Sequence, residues 1–188
     1  MKKLVLAGLL AAGLTGCSAE DPQVLNLYNW SEYMPQAVLD RFTEETGIAV
    51  VYTTYDSNEA MYAKLKLLDE SAAYDLAVPS TYYVSKMRQE DLLMPIDRSE
   101  IEGFDELDPE LTNLDIDPDN QYSIPYLWGT TGLAVDASDV EGEPVNAWSN
   151  LWDERFEGRV MLTNDMREVF HVGLSVLGYS GNTRDPQE

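Results

Sequence analysis

Three short stretches of the chain combine residue types that suit one chemistry. Trp30-Ser31-Glu32-Tyr33, Ser80-Thr81-Tyr82-Tyr83 and Thr163-Asn164-Asp165, with Glu168 one helical turn further on, gather aromatic rings, small hydroxyls and carboxylates. Arg167 apart, they hold almost no cations. Such a set suits a small organic cation. A ring face attracts an ammonium group by roughly 0.5–2 kcal/mol. A carboxylate adds charge-assisted hydrogen bonds of about 1.5–3 kcal/mol each. Aromatic walls cover the methylenes of a linear amine at about 0.8 kcal/mol apiece. Asp165 and Glu168 are three residues apart, so a helix start aims both at one place. Structural roles compete at each position. Asp165 also stands where a helix needs an N-cap. Trp30 and Tyr33 can be packing at a strand end, and Glu32 a solvated loop charge. Tyr82 and Tyr83 are adjacent, so on a helix one of them faces the core. Trp128, in Tyr126-Leu127-Trp128-Gly129, is assigned to the core. A hydrolase also uses paired carboxylates, but the chain has no G-x-S-x-G motif and no histidine or cysteine cluster for a metal. Binding is therefore expected rather than catalysis, with no cofactor.

The elements that position these stretches read as alternating strands and helices. Val24 to Asn29 alternates apolar and polar residues as a strand does. Pro35 to Thr46 carries Val38, Leu39 and Phe42 at helical spacing, with Gly47 as the stop. Ile48 to Tyr55 is β-branched and aromatic, hence a strand. Asp56 and Glu59 are spaced as a capping box before a helix whose face is Met61, Leu65 and Leu68. Leu76 to Pro79 is a short buried strand, followed by a helix from Tyr83 to Glu90. Three successive strand–helix units predict a parallel α/β sheet. In such a sheet ligands bind beyond the carboxyl ends of the strands, which is where the first two stretches fall. Further on, Tyr122 to Tyr126, Thr130 to Val135 and Arg159 to Leu162 read as strands. The third stretch follows the last of these. Trp148 to Phe156 and Met166 to Leu177 read as helices, with Gly178 ending the second. Residues 97–121 read as a solvated acidic surface segment with turns. Its Asp115-Ile116-Asp117-Pro118-Asp119 lacks the glycine and glutamate of an EF-hand calcium loop.

Composition narrows the partners. The chain has 188 residues, 34 acidic and 12 basic, for a formal charge of −22. A surface of that sign repels a phosphate backbone, so no nucleic-acid partner is expected. The single cysteine excludes an intrachain disulfide. Lys2 and Lys3 precede an apolar run from Leu4 to Leu14, too short to span a bilayer as a mature helix. Leu14-Thr15-Gly16-Cys17 then resembles a bacterial lipobox, in which the cysteine thiol receives a diacylglycerol and becomes the new N-terminus. Cys17 is thus the expected lipidation site and membrane anchor, after a signal peptide of residues 1–16 and before a polar tether of residues 17–23.

Longer matches give the organisation a family. Leu27 to Tyr33, Thr54 to Leu65, Tyr74 to Val84, Tyr122 to Gly129, Arg167 to Phe170 and Leu177 to Asn182 resemble the spermidine/putrescine-binding proteins of polyamine ABC transporters. The resemblance runs from about residue 25 to the end. It implies a two-lobed periplasmic-binding-protein fold of type II. Residues 24–125 would form most of a first lobe, and residues 126–188 would start a second. It implies capture of putrescine or spermidine for an ABC permease in the inner membrane. The alternative is a sensor, or a binding protein for another cationic solute, on the same fold. Trp30 and Tyr33 would be aromatic walls, Ser80 and Tyr82 polar and aromatic contacts, and Asp165 and Glu168 the holders of an amine or imine nitrogen. Ser31 and Glu32 fall where family members vary and would tune the choice of amine. The family chain is about twice as long as this one. Asp185, Pro186 and Glu188 carry a helix-start pattern, so the chain is expected to be truncated.

Overall fold

Three parallel strands and the helices between them build the first part of the molecule. A computed structural model describes residues 23–68, 74–136, 138, 140 and 144–187. The leader, Cys17 and all but the last residue of the tether lie outside the described residues. Strand β1 (Val24–Trp30) is followed by α1 (Gln36–Thr46), β2 (Ala49–Tyr55), α2 (Asn58–Leu67), β3 (Leu76–Ala77) and α3 (Thr81–Gln89). The sheet order is β2-β1-β3, with both pairings parallel. β1 is therefore central, and Leu27, Tyr28 and Asn29 are buried in succession rather than alternately. That is the pattern of a strand covered on both faces. Pairing of Trp30 with Tyr55 and of Tyr28 with Ala77 sets the carboxyl ends of all three strands side by side.

The core on one face of the sheet is aromatic. Tyr28, Tyr55, Met61 and Met87 are buried together, with Trp30, Tyr62 and Tyr74 packed against them. Tyr28 stacks on Tyr74 with ring centroids 4.3 Å apart and meets Tyr55 edge-on at 4.8 Å. On another side the sheet borders a cavity of about 750 Å³, walled by apolar residues such as Leu25, Leu27, Leu39, Phe42 and Val84.

Chain breaks follow local chemistry. Gly47 takes φ 76°, and its N–H donates to Thr43 O at 2.9 Å, which stops α1. The cap of α2 is Ser57, whose hydroxyl accepts from Ala60 N at 3.2 Å. This corrects the capping box predicted from Asp56 and Glu59. Asp56 instead accepts the Ser31 hydroxyl at 2.8 Å, so its carboxylate is turned toward the loop after β1.

The later part of the chain departs further from expectation. Helix α4 (Met166–Val176) forms as predicted, and Gly178 follows it at φ 83°. The helix predicted over Trp148 to Phe156 is two short 3-10 turns, Trp148–Trp152 and Glu154–Phe156. The strands predicted at Tyr122 to Tyr126, Thr130 to Val135 and Arg159 to Leu162 are not strands among the described residues. A strand needs a neighbour to complete its ladder. Among the described residues no ladder forms with these segments, and Val160, Met161 and Leu162 are exposed. Trp128, assigned to the core, is 75% exposed. Residues 97–121 do contain turns, but Asp117 and Asn120 are buried rather than solvated. Asp117 accepts from Tyr122 N at 3.0 Å and the Ser123 hydroxyl at 2.7 Å, and so ties the segment down. At the end of the chain Asp185 accepts from Gln187 N at 2.9 Å, closing a turn.

Candidate functional site

The loop after β1 is a tight, strained turn. Ser31 N donates to Tyr55 O at 3.2 Å, and the Ser31 hydroxyl is held by Asp56. Glu32 takes φ 64°, a conformation that costs an L-residue about 1–2 kcal/mol. Its side chain is exposed. Tyr126 donates its hydroxyl to Tyr33 O at 2.8 Å and clasps the far end of the turn. The turn sets Trp30 and Tyr33 with ring centroids 6.1 Å apart, and Trp30 also lies 4.8 Å from Tyr55. Two ring faces are thus offered from one loop.

The loop after β3 is organised by a residue that the sequence reading did not select. Asn58, the first residue of α2, is 1% exposed. Its Oδ1 accepts from Ser80 N at 3.0 Å. Its Nδ2 donates to Ser80 Oγ at 3.0 Å and to the Tyr82 hydroxyl at 2.8 Å. Ser80 precedes α3, but its side chain makes no capping bond, which leaves the hydroxyl to this cluster. A signal for Asn58 existed: Asp56-Ser57-Asn58 follows β2 and so shares the sheet's carboxyl edge with the other loops.

Asp165 carries two duties. As N-cap of α4, its Oδ1 accepts from Arg167 N at 2.9 Å and from Glu168 N at 3.1 Å. Its Oδ2 accepts the Tyr82 hydroxyl at 3.0 Å. Capping therefore accompanies the predicted convergence on the loop after β3. Burial pushes the Tyr82 phenol well above its ordinary range, and the hydrogen bond to Asp165 adds to the shift. Tyr82 stays protonated and keeps its donor. The Arg167 guanidinium lies 4.8 Å from the centre of the Tyr82 ring. One face of that ring is already occupied by a cation, so Tyr82 contributes chiefly through its oxygen. Glu168 accepts the Thr131 hydroxyl at 2.7 Å, a second contact the sequence reading missed.

The predicted residues thus fall into two clusters. Trp30 and Tyr33 form one, with Ser31 and Glu32 shaping their turn. Ser80, Tyr82 and Asp165 form the other, joined by Asn58, while the Glu168 carboxylate is held by Thr131. Trp30, Tyr33 and Ser80 all line the cavity described above, whereas Tyr82, Asp165 and Glu168 do not. The cavity lining is mostly apolar but also includes Asp108, Asp117 and Asn120. The described residues include no group of three or more histidine, cysteine, aspartate or glutamate side chains placed to hold a metal.

Comparison with known proteins follows the same line. Residues 37–188 match the family model of the bacterial extracellular solute-binding proteins. This chain belongs to that family. The spermidine/putrescine-binding periplasmic protein of Escherichia coli is 50% identical over 187 residues, covering 100% of this chain and 53% of that protein. The spermidine/putrescine ABC transporter substrate-binding protein PotD of Streptococcus pneumoniae superposes with a TM-score of 0.70 at 47% identity, over 88% of this chain and 50% of that structure. The TpPotD lipoprotein of Treponema pallidum gives 0.80 at 37% identity, over 88% and 51%. The α/β fold is that of the periplasmic binding proteins over the shared part. The chain spans about half the length of the relatives it matches.

Proposed function

We propose that this protein is an extracytoplasmic receptor that captures a polyamine, putrescine or spermidine, and delivers it to the permease of an ABC importer. The observation that carries the reading is the meeting of Tyr82 and Asp165, 83 residues apart in sequence, in one cluster with Asn58 and Ser80, and Ser80 lines the same cavity as Trp30 and Tyr33. An ammonium group only donates hydrogen bonds. Asp165 and Glu168 are acceptors, and the ring faces of Trp30 and Tyr33 suit the methylenes between two amines. Ser31 and Glu32 shape the turn and thereby the spacing of those rings. The reading agrees with the ligands named for the E. coli and S. pneumoniae relatives.

The same reading anchors the protein to a membrane through a lipid on Cys17, followed by the tether to residue 23 and the lobe of residues 24–125. A relative named as a lipoprotein supports it. Two acyl chains suffice for stable anchoring, where one is marginal.

Titration calorimetry of the full-length protein with putrescine and with spermidine is the test. Saturable heat from either supports the reading, and absence of heat from both rejects it. Mass spectrometry of protein purified from membranes tests the anchor, which requires a diacylglycerol adduct on Cys17.

A further inference from the structure

The direction of each hydrogen bond around Asn58 follows from donor and acceptor chemistry. A backbone N–H only donates, so the group facing Ser80 N must be the side-chain oxygen of Asn58. The Asn58 amide nitrogen therefore faces the two hydroxyls, and it too only donates. The Tyr82 oxygen is thus an acceptor in that contact. Its single proton is left for Asp165 Oδ2, an acceptor 3.0 Å away. The order Asn58 to Tyr82 to Asp165 has one consistent direction and joins the start of α2 to the start of α4.

We propose that Asn58 is the positioning residue of the binding site: it orients the Tyr82 hydroxyl so that its proton is spent on Asp165 and a lone pair is left for a ligand. This rests on the cation-binding reading above. A donor-only ligand then meets oxygen lone pairs rather than an opposing O–H. Asn58 is 1% exposed, so it acts through Ser80 and Tyr82 without touching the ligand itself.

The test uses Asn58→Asp, which keeps the oxygen facing Ser80 N and replaces the donor facing the hydroxyls by an acceptor. Position 58 is the first residue of α2, where a carboxylate is tolerated by the helix N-terminus. Asn58→Ser is the second variant. The first arm needs no ligand. In protein labelled with carbon-13 at the tyrosine Cζ, with the Tyr82 signal assigned by Tyr82→Phe, both variants are expected to move the Tyr82 resonance and leave that of Tyr179 in place. An unmoved Tyr82 resonance overturns the inference, as does loss of the folded state in both variants, which would make Asn58 a core residue only. The second arm titrates spermidine into the protein. Asn58→Asp is expected to weaken binding about tenfold, the order expected for one misdirected hydrogen bond. In the Tyr82→Phe background it is expected to cost less than about twofold. Equal losses in both backgrounds overturn the positioning role. Failure of the unmutated protein to bind any polyamine would reject the polyamine reading, while the first arm still decides the orientation of Tyr82.

Discussion

Replacing Asp165 by asparagine separates the two duties of that side chain. Asparagine caps a helix about as well as aspartate, so its oxygen can keep the bonds from Arg167 N and Glu168 N. Its amide nitrogen then stands where Oδ2 accepted the Tyr82 hydroxyl. That bond is lost, at about 1 kcal/mol. The negative charge at the N-terminus of α4 is lost as well, for roughly 0.3–1 kcal/mol. Asp165→Asn should therefore lower stability by about 1–2 kcal/mol. Asp165→Ala also removes the cap and should lower it by about 1 kcal/mol more. Ligand binding should respond differently. Both variants lose a charge-assisted hydrogen bond to an ammonium group, about 1.5–3 kcal/mol, so affinity should fall by roughly ten- to 150-fold in each. Thermal melting by circular dichroism reads the stability difference, and calorimetry with putrescine and spermidine reads the affinity. Spermidine binding by Asp165→Asn at the affinity of the unmutated protein would refute the electrostatic role. Equal stability of the two variants would refute the cap.

Other predictions follow from single contacts. Trp30→Ala removes a ring that faces both Tyr33 and Tyr55; polyamine affinity should drop by about 0.5–2 kcal/mol, Trp30→Phe should restore part of it, and calorimetry on both variants checks the order. Met61 is completely buried in the aromatic core, so Met61→Ala should cost about 2–5 kcal/mol in urea denaturation. Glu90 accepts from Tyr62, Lys86 and Lys66, with the Tyr62 bond the largest influence, and its carboxyl is held down at about 2. A pKa below the unfolded value of about 4.3 stabilises the fold above that pH and loses the effect as pH falls toward about 2. Glu90→Gln should accordingly melt at lower temperature than the unmutated protein at pH 7, and the two melting curves should converge near pH 2; a gap that persists there contradicts the network.

Local chemistry made much of the first part of the molecule readable. The helix over residues 36–46 ends at Gly47 because a left-handed residue is needed there and glycine supplies it without strain. The strand at Ala49–Tyr55 follows from a β-branched and aromatic run, and Asp165 sits at the cap its residue type prefers. The order of strands and helices alone places the loops of Trp30 and Ser80 at the carboxyl edge of the sheet. Asn58 escaped because an asparagine at a helix start looks like any other polar residue in a turn. Its value depends on two hydroxyls from 22 and 24 residues away arriving within hydrogen-bond distance.

The sequence alone determined which residues favour helix, strand or turn, because those preferences act over a few neighbours along the chain. It also carries the proposal of a cationic ligand, because ring faces and carboxylates keep their chemistry wherever they lie. Tertiary structure decided what depends on partners distant in sequence. The segments around 124, 132 and 160 have strand-like composition, but strands exist only where a second backbone completes the ladder. Asp117 carries a charge suited to solvent, and the hydroxyl of Ser123 and the N–H of Tyr122 bury it. Tyr82 is an ordinary phenol by sequence. Asn58 on one side and Asp165 on the other give its oxygen a direction, and with it a role.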